Sequence, residues 1–208
     1  MPDEQSLSLR ERKKLDTRRA LSDAALELMF ERGLENVVRE DIAARAGVSV
    51  RTFNNYFSSK YEALVYRQVE RFHTSSRLLR ERPAGEPLWT ALTAAVLRPL
   101  EDDGAGGPLP TPEQLVEVRK LLASQDIPLL LLRGVMDELI AAIAERTGTD
   151  PEHDLYPRLA AGAVVAAFQA AVDTYVRTDP AITVVSLLRE ALTALAAGLP
   201  DPSAQHRR

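Results

Sequence analysis

Apolar residues recur along most of the chain three or four positions apart, which is the spacing of one face of an α-helix. In the first such segment, residues 10–32, this face is formed by Leu21, Ala24, Ala25 and Leu28. No segment shows the sustained alternation of apolar and polar residues that is typical of a half-buried strand. The pattern therefore predicts an all-α protein.

Proline and glycine residues divide the pattern into about nine helices. The predicted helices cover residues 10–32, 39–46, 50–57, 60–82, 88–100, 113–124, 127–147, 155–177 and 181–199. The break at 83–87, PAGEP, ends the fourth helix, and GAGGPLPTP predicts a loop before the sixth. The chain is long and apolar enough to form one large domain or two smaller ones.

Residues 39–60, REDIAARAGVSVRTFNNYFSSK, have the pattern of a helix-turn-helix. This motif needs a short first helix, a tight turn and a second helix whose exposed side chains enter the major groove of DNA. A glycine, Gly47, permits the turn, and Ser49 is a favourable N-cap for the second helix. The residues predicted to pack inward are Ile42, Ala43, Ala46, Val48, Phe53 and Phe57.

The remaining side chains of the second helix suit contacts with DNA. Arg51 can form two hydrogen bonds with guanine, and Asn54 or Asn55 can do so with adenine, while Val50 or Thr52 can contact a thymine methyl group. Phosphate contacts are expected for a second group, which sets the position of the protein on the duplex. This group comprises Arg39, Thr52, Tyr56 and Lys60, with Arg10, Arg12, Lys13 and Lys14 in an arm before the first helix.

The charge distribution agrees with this assignment, although the chain as a whole has a net charge of −4. Residues 10–60 carry 11 basic and 8 acidic side chains, whereas residues 61–208 carry 15 basic and 20 acidic ones. A basic first part favours binding to phosphates, and an acidic remainder is repelled by them.

The segments ALSDAALELMFERG, DIAARAGVS and RTFNNYFSSKYEAL, together covering about residues 15–65, resemble the DNA-binding domain of the TetR family. The resemblance implies a dimeric, all-helical repressor of operator DNA. It divides the chain into a three-helix DNA-binding domain with the helix-turn-helix, 1–60, and a helical ligand-binding and dimerisation domain, 61–208. Two departures are Val38, where the family often has threonine, and Asn54, where it often has an aromatic residue.

The second domain suggests a homodimer and a small-molecule effector. The last two predicted helices, 155–177 and 181–199, are apolar, and two copies of this helix pair can form a four-helix bundle. The predicted dimer interface comprises Ala163, Ala167, Val185, Leu188, Leu192 and Leu195. Few aromatic residues follow His73, so an aliphatic ligand is favoured over a flat cationic one. The predicted ligand contacts are Leu92, Val96, Arg119, Leu122, Leu130, Arg133, Phe168 and Gln169. Residues 118–148 resemble, more weakly, TetR-family members with ligand domains of the acyl-CoA type.

Other functional classes lack support in the sequence. The chain has no cysteine and three isolated histidines, so no metal site or cofactor is predicted. No catalytic constellation is recognisable either, so a helical enzyme is the weaker hypothesis. Since the first residues have no signal-peptide pattern and the apolar run IPLLLL is short, a cytoplasmic protein without a membrane span is expected. Control by a protein partner, or by no effector at all, stays an alternative to control by a ligand.

Overall fold

A computed structural model of the chain describes residues 8–103, 111–124, 126–177 and 182–200, and the side chains of all of these except 123 and 126–134. The described residues form nine α-helices and one short 3₁₀ turn at Leu34–Asn36. The helices are α1 (Leu9–Arg32), α2 (Arg39–Arg45), α3 (Val50–Tyr56), α4 (Lys60–Glu81), α5 (Leu88–Asp102), α6 (Pro112–Ala123), α7 (Asp126–Thr147), α8 (Leu155–Arg177) and α9 (Val184–Ala196). The predicted all-α class is confirmed.

Side-chain caps mark several helix starts, because the first amide groups of a helix have no partner within the helix. The Ser49 hydroxyl accepts a hydrogen bond from the Thr52 amide at the start of α3. Ser8 with Glu11 and Thr111 with Gln114 form reciprocal capping boxes at the starts of α1 and α6. Helix α2 has no side-chain cap at Val38, as expected where valine replaces threonine.

Two compact units are present, and the first contains the described residues of 1–70 and 110–134. Helices α1 to α3, the start of α4 and α6 contribute to it, and its core is a continuous apolar cluster. The predicted core residues Phe53 and Phe57 are 0% and 2% exposed, and their rings pack 5.8 Å apart. Ile42 and Ala43 are also buried, and Gly47 has the positive φ, 69°, that the turn requires.

The second unit contains the described residues of 71–109 and 135–208. Within it, α9 packs against both α8 and α5. The phenyl rings of Phe72 and Phe168 meet edge to face, with centroids 5.2 Å apart, and Leu92 and Val96 are buried. Helices α4 and α7 contribute to both units, so the predicted functional boundary at residue 60 stays a prediction and does not coincide with the division into units.

Four positions of the predicted dimer interface are buried within a single chain. Leu188 and Leu192 are 0% exposed within a single chain, and Val185 and Ala167 are buried as well. A side chain that is already covered by its own chain cannot contact a second copy, so these residues form the core between α9 and its neighbours. The other two predicted positions, Ala163 and Leu195, are half-buried.

Helix α8 is long and apolar enough to cross a membrane by length and composition, and it is the one such helix in the described part of the chain. A core helix of a folded domain meets the same criterion. In this structure Ala160, Ala161, Val164 and Ala171 form a buried face of α8.

Candidate nucleic-acid interface

Helix α3 presents its polar side chains on the side opposite its buried core residue, Phe53. Arg51, Asn54 and Asn55 are exposed, and Val50, Thr52 and Tyr56 are half-buried. With 3.6 residues per turn, Arg51 and Asn55 lie closest to the outermost line of the helix. Neither side chain has a hydrogen-bond or ion-pair partner among the described residues, so both are available to a ligand.

Arg39, at the start of α2, is linked to the flank of α3. Its guanidinium donates a hydrogen bond to the Asn54 side-chain oxygen, 3.3 Å away. Both side chains are exposed, so the contact orients two of the predicted DNA-binding residues without removing them from solvent. The structure thereby brings Arg39, Val50, Arg51, Thr52, Asn54, Asn55 and Tyr56 to one end of the first unit.

Lys60 has contacts that differ from the predicted one. Its half-buried ammonium group donates hydrogen bonds to the carbonyl oxygens of Leu34 and Val37, at 2.9 and 3.1 Å. These carbonyls belong to the segment that leads into α2, so Lys60 fastens the start of α4 to the helix-turn-helix. A phosphate contact by Lys60 would compete with these two bonds.

The same segment is bound from its other side by α6. The Glu117 carboxylate accepts a hydrogen bond of 2.6 Å from the Leu34 amide and pairs with Lys120 at 2.6 Å. The Lys120 ammonium and, next, the Leu34 amide lower the pKa of Glu117 from its usual value. Gly33 ends α1 with φ 84°, a backbone conformation that residues other than glycine rarely adopt.

Arg18 is a structural residue that sequence reasoning did not identify. Its guanidinium lies over the rings of Phe57 and Tyr66, 5.7 and 5.2 Å from their centroids. It also donates to the Tyr56 carbonyl at 3.4 Å, so α1 holds the end of α3. In the sequence, Arg18 stands among other basic residues and nothing distinguishes it from them.

Most other cations of this region are paired within the protein. Arg19 pairs with Glu70, Arg32 with Asp41, and Arg45 with both Glu27 and Glu31. The Arg45 hydrogen bond lowers the pKa of Glu31. These arginines are consequently neutralised by acidic side chains next to them.

The basic residues at 10–14, predicted both as part of the first helix and as an arm before it, belong to the first turns of α1. Between these turns and α3 lies an open groove of about 1000 Å³. It is lined by Ser8, Leu9, Arg10, Glu11, Lys13, Lys14, Thr17, Thr52, Asn55 and Tyr56.

The predicted ligand contacts are divided between the two units of the described structure. Arg119 and Leu122 lie on α6 in the first unit, whereas Leu92, Val96 and Phe168 are buried in the second, and Gln169 is exposed on α8. The side chains of Leu130 and Arg133 lie outside the described residues. A groove of about 650 Å³ in the second unit, between α4, α5 and Arg189, is lined by none of the eight.

Sequence reasoning also missed two buried hydroxyl groups on α4. Ser75 donates to the Arg71 carbonyl at 2.9 Å, as a helical serine commonly does. Ser76 is 1% exposed, and its hydroxyl has no partner among the described residues. The available signal was a polar residue on an otherwise apolar helix face, between Phe72 and Leu79.

Comparisons with known proteins agree with this fold. A family model described as bacterial regulatory proteins, tetR family, matches residues 21–65, and one described as the MftR C-terminal domain matches residues 130–200. The HTH-type transcriptional regulator TcmR of Streptomyces glaucescens is 31% identical over an alignment of 220 positions, which covers 96% of this chain and 90% of TcmR.

Solved structures show the same fold at lower identity. Thermus thermophilus FadR in complex with lauroyl-CoA has a TM-score of 0.57 and 19% identity, and the match covers 88% of this chain and 95% of FadR. Bacillus subtilis FadR in complex with stearoyl-CoA has a TM-score of 0.54 and 22% identity, and the match covers 86% of this chain and 97% of that FadR. SmeT, the repressor of a Stenotrophomonas maltophilia multidrug efflux pump, has a TM-score of 0.53 and 23% identity, and the match covers 86% of this chain and 89% of SmeT.

Proposed function

This chain belongs to the TetR family of transcriptional regulators, and we propose that it represses transcription from an operator to which α3 binds until a small, largely aliphatic ligand releases it. As a member of this family it is a DNA-binding transcriptional regulator and not an enzyme. The observation that carries the proposal is that Arg51 and Asn55 are exposed and have no partner among the residues that the structure describes, on a helix held in place by Phe53 and Phe57.

In this proposal α3 enters the major groove and recognises bases. Arg51 donates to the O6 and N7 atoms of a guanine, and Asn55 pairs with an adenine edge, since these are the base edges that match their donors and acceptors. Val50 and Thr52 contact thymine methyl groups. Asn54 keeps its hydrogen bond from Arg39, and this pair lies near a phosphate and helps to position the protein on the duplex.

Binding to the DNA upstream of the chain's own gene tests this function. A gel-shift assay should show tighter binding there than to an unrelated duplex of equal length. Footprinting should show two half-sites whose centres lie about one helical turn, or a multiple of it, apart. Arg51→Ala should weaken this preference, whereas Arg45→Ala should preserve it because Arg45 pairs with Glu27 and Glu31. Equal binding of wild type to both duplexes would contradict the proposal.

TetR-family regulators dimerise, and we place the dimer interface on faces of α8 and α9 other than the buried ones. Leu155 and Leu159 are 75% and 63% exposed, an unusual state for leucines at the start of an apolar helix. The same line of α8 continues through Gly162, Ala166 and Ala170, whose small side chains allow a second backbone to approach closely.

The flank of α9 adds further apolar surface to this interface. Leu187, Ala191 and Ala194 are half-buried and lie between the buried Leu188 and the exposed Glu190 on the helix surface. Together with the half-buried Ala163 and Leu195 they complete a face that a second copy covers. A self-complementary apolar face is what a two-fold homodimer needs.

A charge on this face tests the interface. Leu159→Glu should give a folded monomer in sedimentation and weaken operator binding, because each half-site then binds one subunit separately. Thr193→Glu adds the same charge to the opposite side of α9 and should remain a dimer. A dimeric Leu159→Glu protein would contradict this interface.

The effector proposal rests on the interior of the second unit. Its described core is aliphatic apart from Phe72 and Phe168, so it suits an acyl chain better than a flat cation. The unpaired Ser76 hydroxyl is a candidate polar contact, since a buried hydroxyl without a partner costs about 1–3 kcal/mol and a bound ligand can satisfy it. The acyl-CoA complexes of the two FadR proteins agree with this ligand class.

Thermal shift and gel-shift release should be measured with lauroyl-CoA and with ethidium. Lauroyl-CoA should stabilise the protein and release the DNA, and Phe168→Ala should reduce both effects. Ser76→Ala should reduce the thermal shift, whereas Ser75→Ala, whose hydroxyl bonds to the Arg71 carbonyl, should not. Release by ethidium alone would contradict the ligand class. Release by neither compound would favour the alternative, a regulator controlled by a protein partner or by no effector.

A further inference from the structure

The groove between α1 and α3 has basic side chains along one wall. Arg10, Lys13, Lys14 and Thr17 lie on the same side of α1, at the helical spacing of three and four residues. The opposite wall consists of Thr52, Asn55 and Tyr56 from the flank of α3. An open groove of about 1000 Å³ is accessible from solvent along its length, unlike an enclosed pocket for a small molecule.

The distribution of unpaired charge distinguishes this groove from the rest of the first unit. Of the 11 basic residues between Arg10 and Lys60, six have partners within the protein. They are Arg18, Arg19, Arg32, Arg39, Arg45 and Lys60. The cationic groups of the other five have no hydrogen-bond or ion-pair partner among the described residues. These five are Arg10, Arg12, Lys13, Lys14 and Arg51.

Four of these unpaired cations therefore lie in the first turns of α1, and the fifth lies on α3. The acidic residue between them on the groove wall, Glu11, is already used: it accepts hydrogen bonds from the Ser8 amide and hydroxyl. Those bonds lower the pKa of Glu11 and fix the first turn as a helix. Of the four cations in the first turns of α1, Arg12 alone does not line the groove, because it lies on the side of α1 that bears Asp16.

We propose that one strand of the DNA backbone lies in the groove between α1 and α3, so that its phosphates contact Lys13 and Lys14. Arg10 continues the basic wall, and Tyr56 and Thr52 supply hydroxyl donors from the facing wall. This inference rests on the proposed function, because it takes α3 to be the helix in the major groove. The contacts fix the register of α3 and add affinity that does not depend on base sequence.

The test uses the full chain and two fluorescein-labelled duplexes of equal length, one from upstream of the chain's own gene and one unrelated. Affinity is measured by anisotropy at several salt concentrations. Log affinity falls as log salt rises, and Lys14→Ala should lower the slope, meaning the magnitude of this dependence, by about 1 on both duplexes. The double variant Lys13→Ala with Lys14→Ala should lower it by about 2. Arg12→Ala is the control: it also removes one positive charge, next to Lys13 in the sequence but outside the groove, and should leave the slope unchanged.

The outcomes separate this inference from the proposed function. The groove assignment is overturned if Arg12→Ala and Lys14→Ala have equal effects, or if the double variant keeps the wild-type slope. If wild type binds both duplexes equally but Lys14→Ala still lowers the slope, the sequence-specific function fails and the groove assignment stands. Wild type that binds neither duplex would overturn both. The exposed positions of all three residues and an unchanged circular dichroism spectrum exclude loss of folding as the cause.

Discussion

The helix pairs α2–α3 and α8–α9 were both predicted from apolar spacing, but only in the first does the structure bury the predicted core residues and expose the predicted contact residues. In α2–α3, the turn at Gly47 and the cap at Ser49 allow one packing, so burying Phe53 leaves Arg51 exposed. In α8–α9, the apolar line through Leu188 packs inside the subunit.

The difference shows that an apolar stripe indicates burial but not the identity of what buries it. Helix α9 has a broad apolar surface, and the sequence offered α5, α8 or a second chain as its partner. The apolar line through Leu188 is covered within the subunit, whereas Leu155 and Leu159 of α8 remain exposed.

Leu188→Ala should have the largest effect. Because Leu188 is 0% exposed, removing its side chain should lower the free energy of unfolding by about 2–5 kcal/mol. Urea unfolding at several protein concentrations, with sedimentation, measures this. If Leu188 instead lay in the dimer interface, the substitution would raise the dissociation constant of the dimer and leave the stability of the monomer unchanged.

Lys60→Met should have the next largest effect, on stability and not on DNA affinity. It keeps the length of the side chain but leaves the carbonyls of Leu34 and Val37 without their donor. Hydrogen bonds to a charged group contribute about 1.5–3 kcal/mol, so the free energy of unfolding should fall by about this amount.

The salt dependence of DNA binding distinguishes the two roles of Lys60. With a structural lysine, the slope of log affinity against log salt is the same in wild type and Lys60→Met. If the magnitude of that slope instead fell by about 1 in Lys60→Met and stability were unchanged, the result would support the phosphate contact predicted from the sequence. Lys14→Met is the matched control, for which the opposite result is expected in both measurements.

Glu117→Gln should have a smaller effect that depends on pH. Because the pKa of Glu117 is lowered in the folded protein, its carboxylate stabilises the fold above the unfolded value of about 4.3 and loses this contribution as the pH falls through the folded value. Glutamine can still accept from the Leu34 amide but cannot pair with Lys120. The difference in unfolding free energy between the two proteins, about 1 kcal/mol or less at neutral pH, should vanish in acid. A difference independent of pH would contradict this role.

Much of the fold was predictable from the sequence, since helix periodicity and the glycine and proline breaks located all nine described helices. Within the site, the exposed side of α3 followed directly from the spacing of Phe53 and Phe57. The roles of Lys60 and Arg18 were not predictable, because their partners are backbone carbonyls and aromatic rings brought close only by folding. Ser76 could have been noticed as a polar residue on an apolar face, but its lack of a partner needs the structure.

The central claim is that Arg51 recognises a base whereas Lys14 contacts only the backbone. Selection of duplexes from a randomised library, followed by sequencing, measures the base preference of wild type, Arg51→Ala and Lys14→Ala. Arg51→Ala should lose the preference for one G·C pair in each half-site, a change of about 1–3 kcal/mol, and Lys14→Ala should bind more weakly with the preference intact. An unchanged G·C preference in Arg51→Ala would contradict the account.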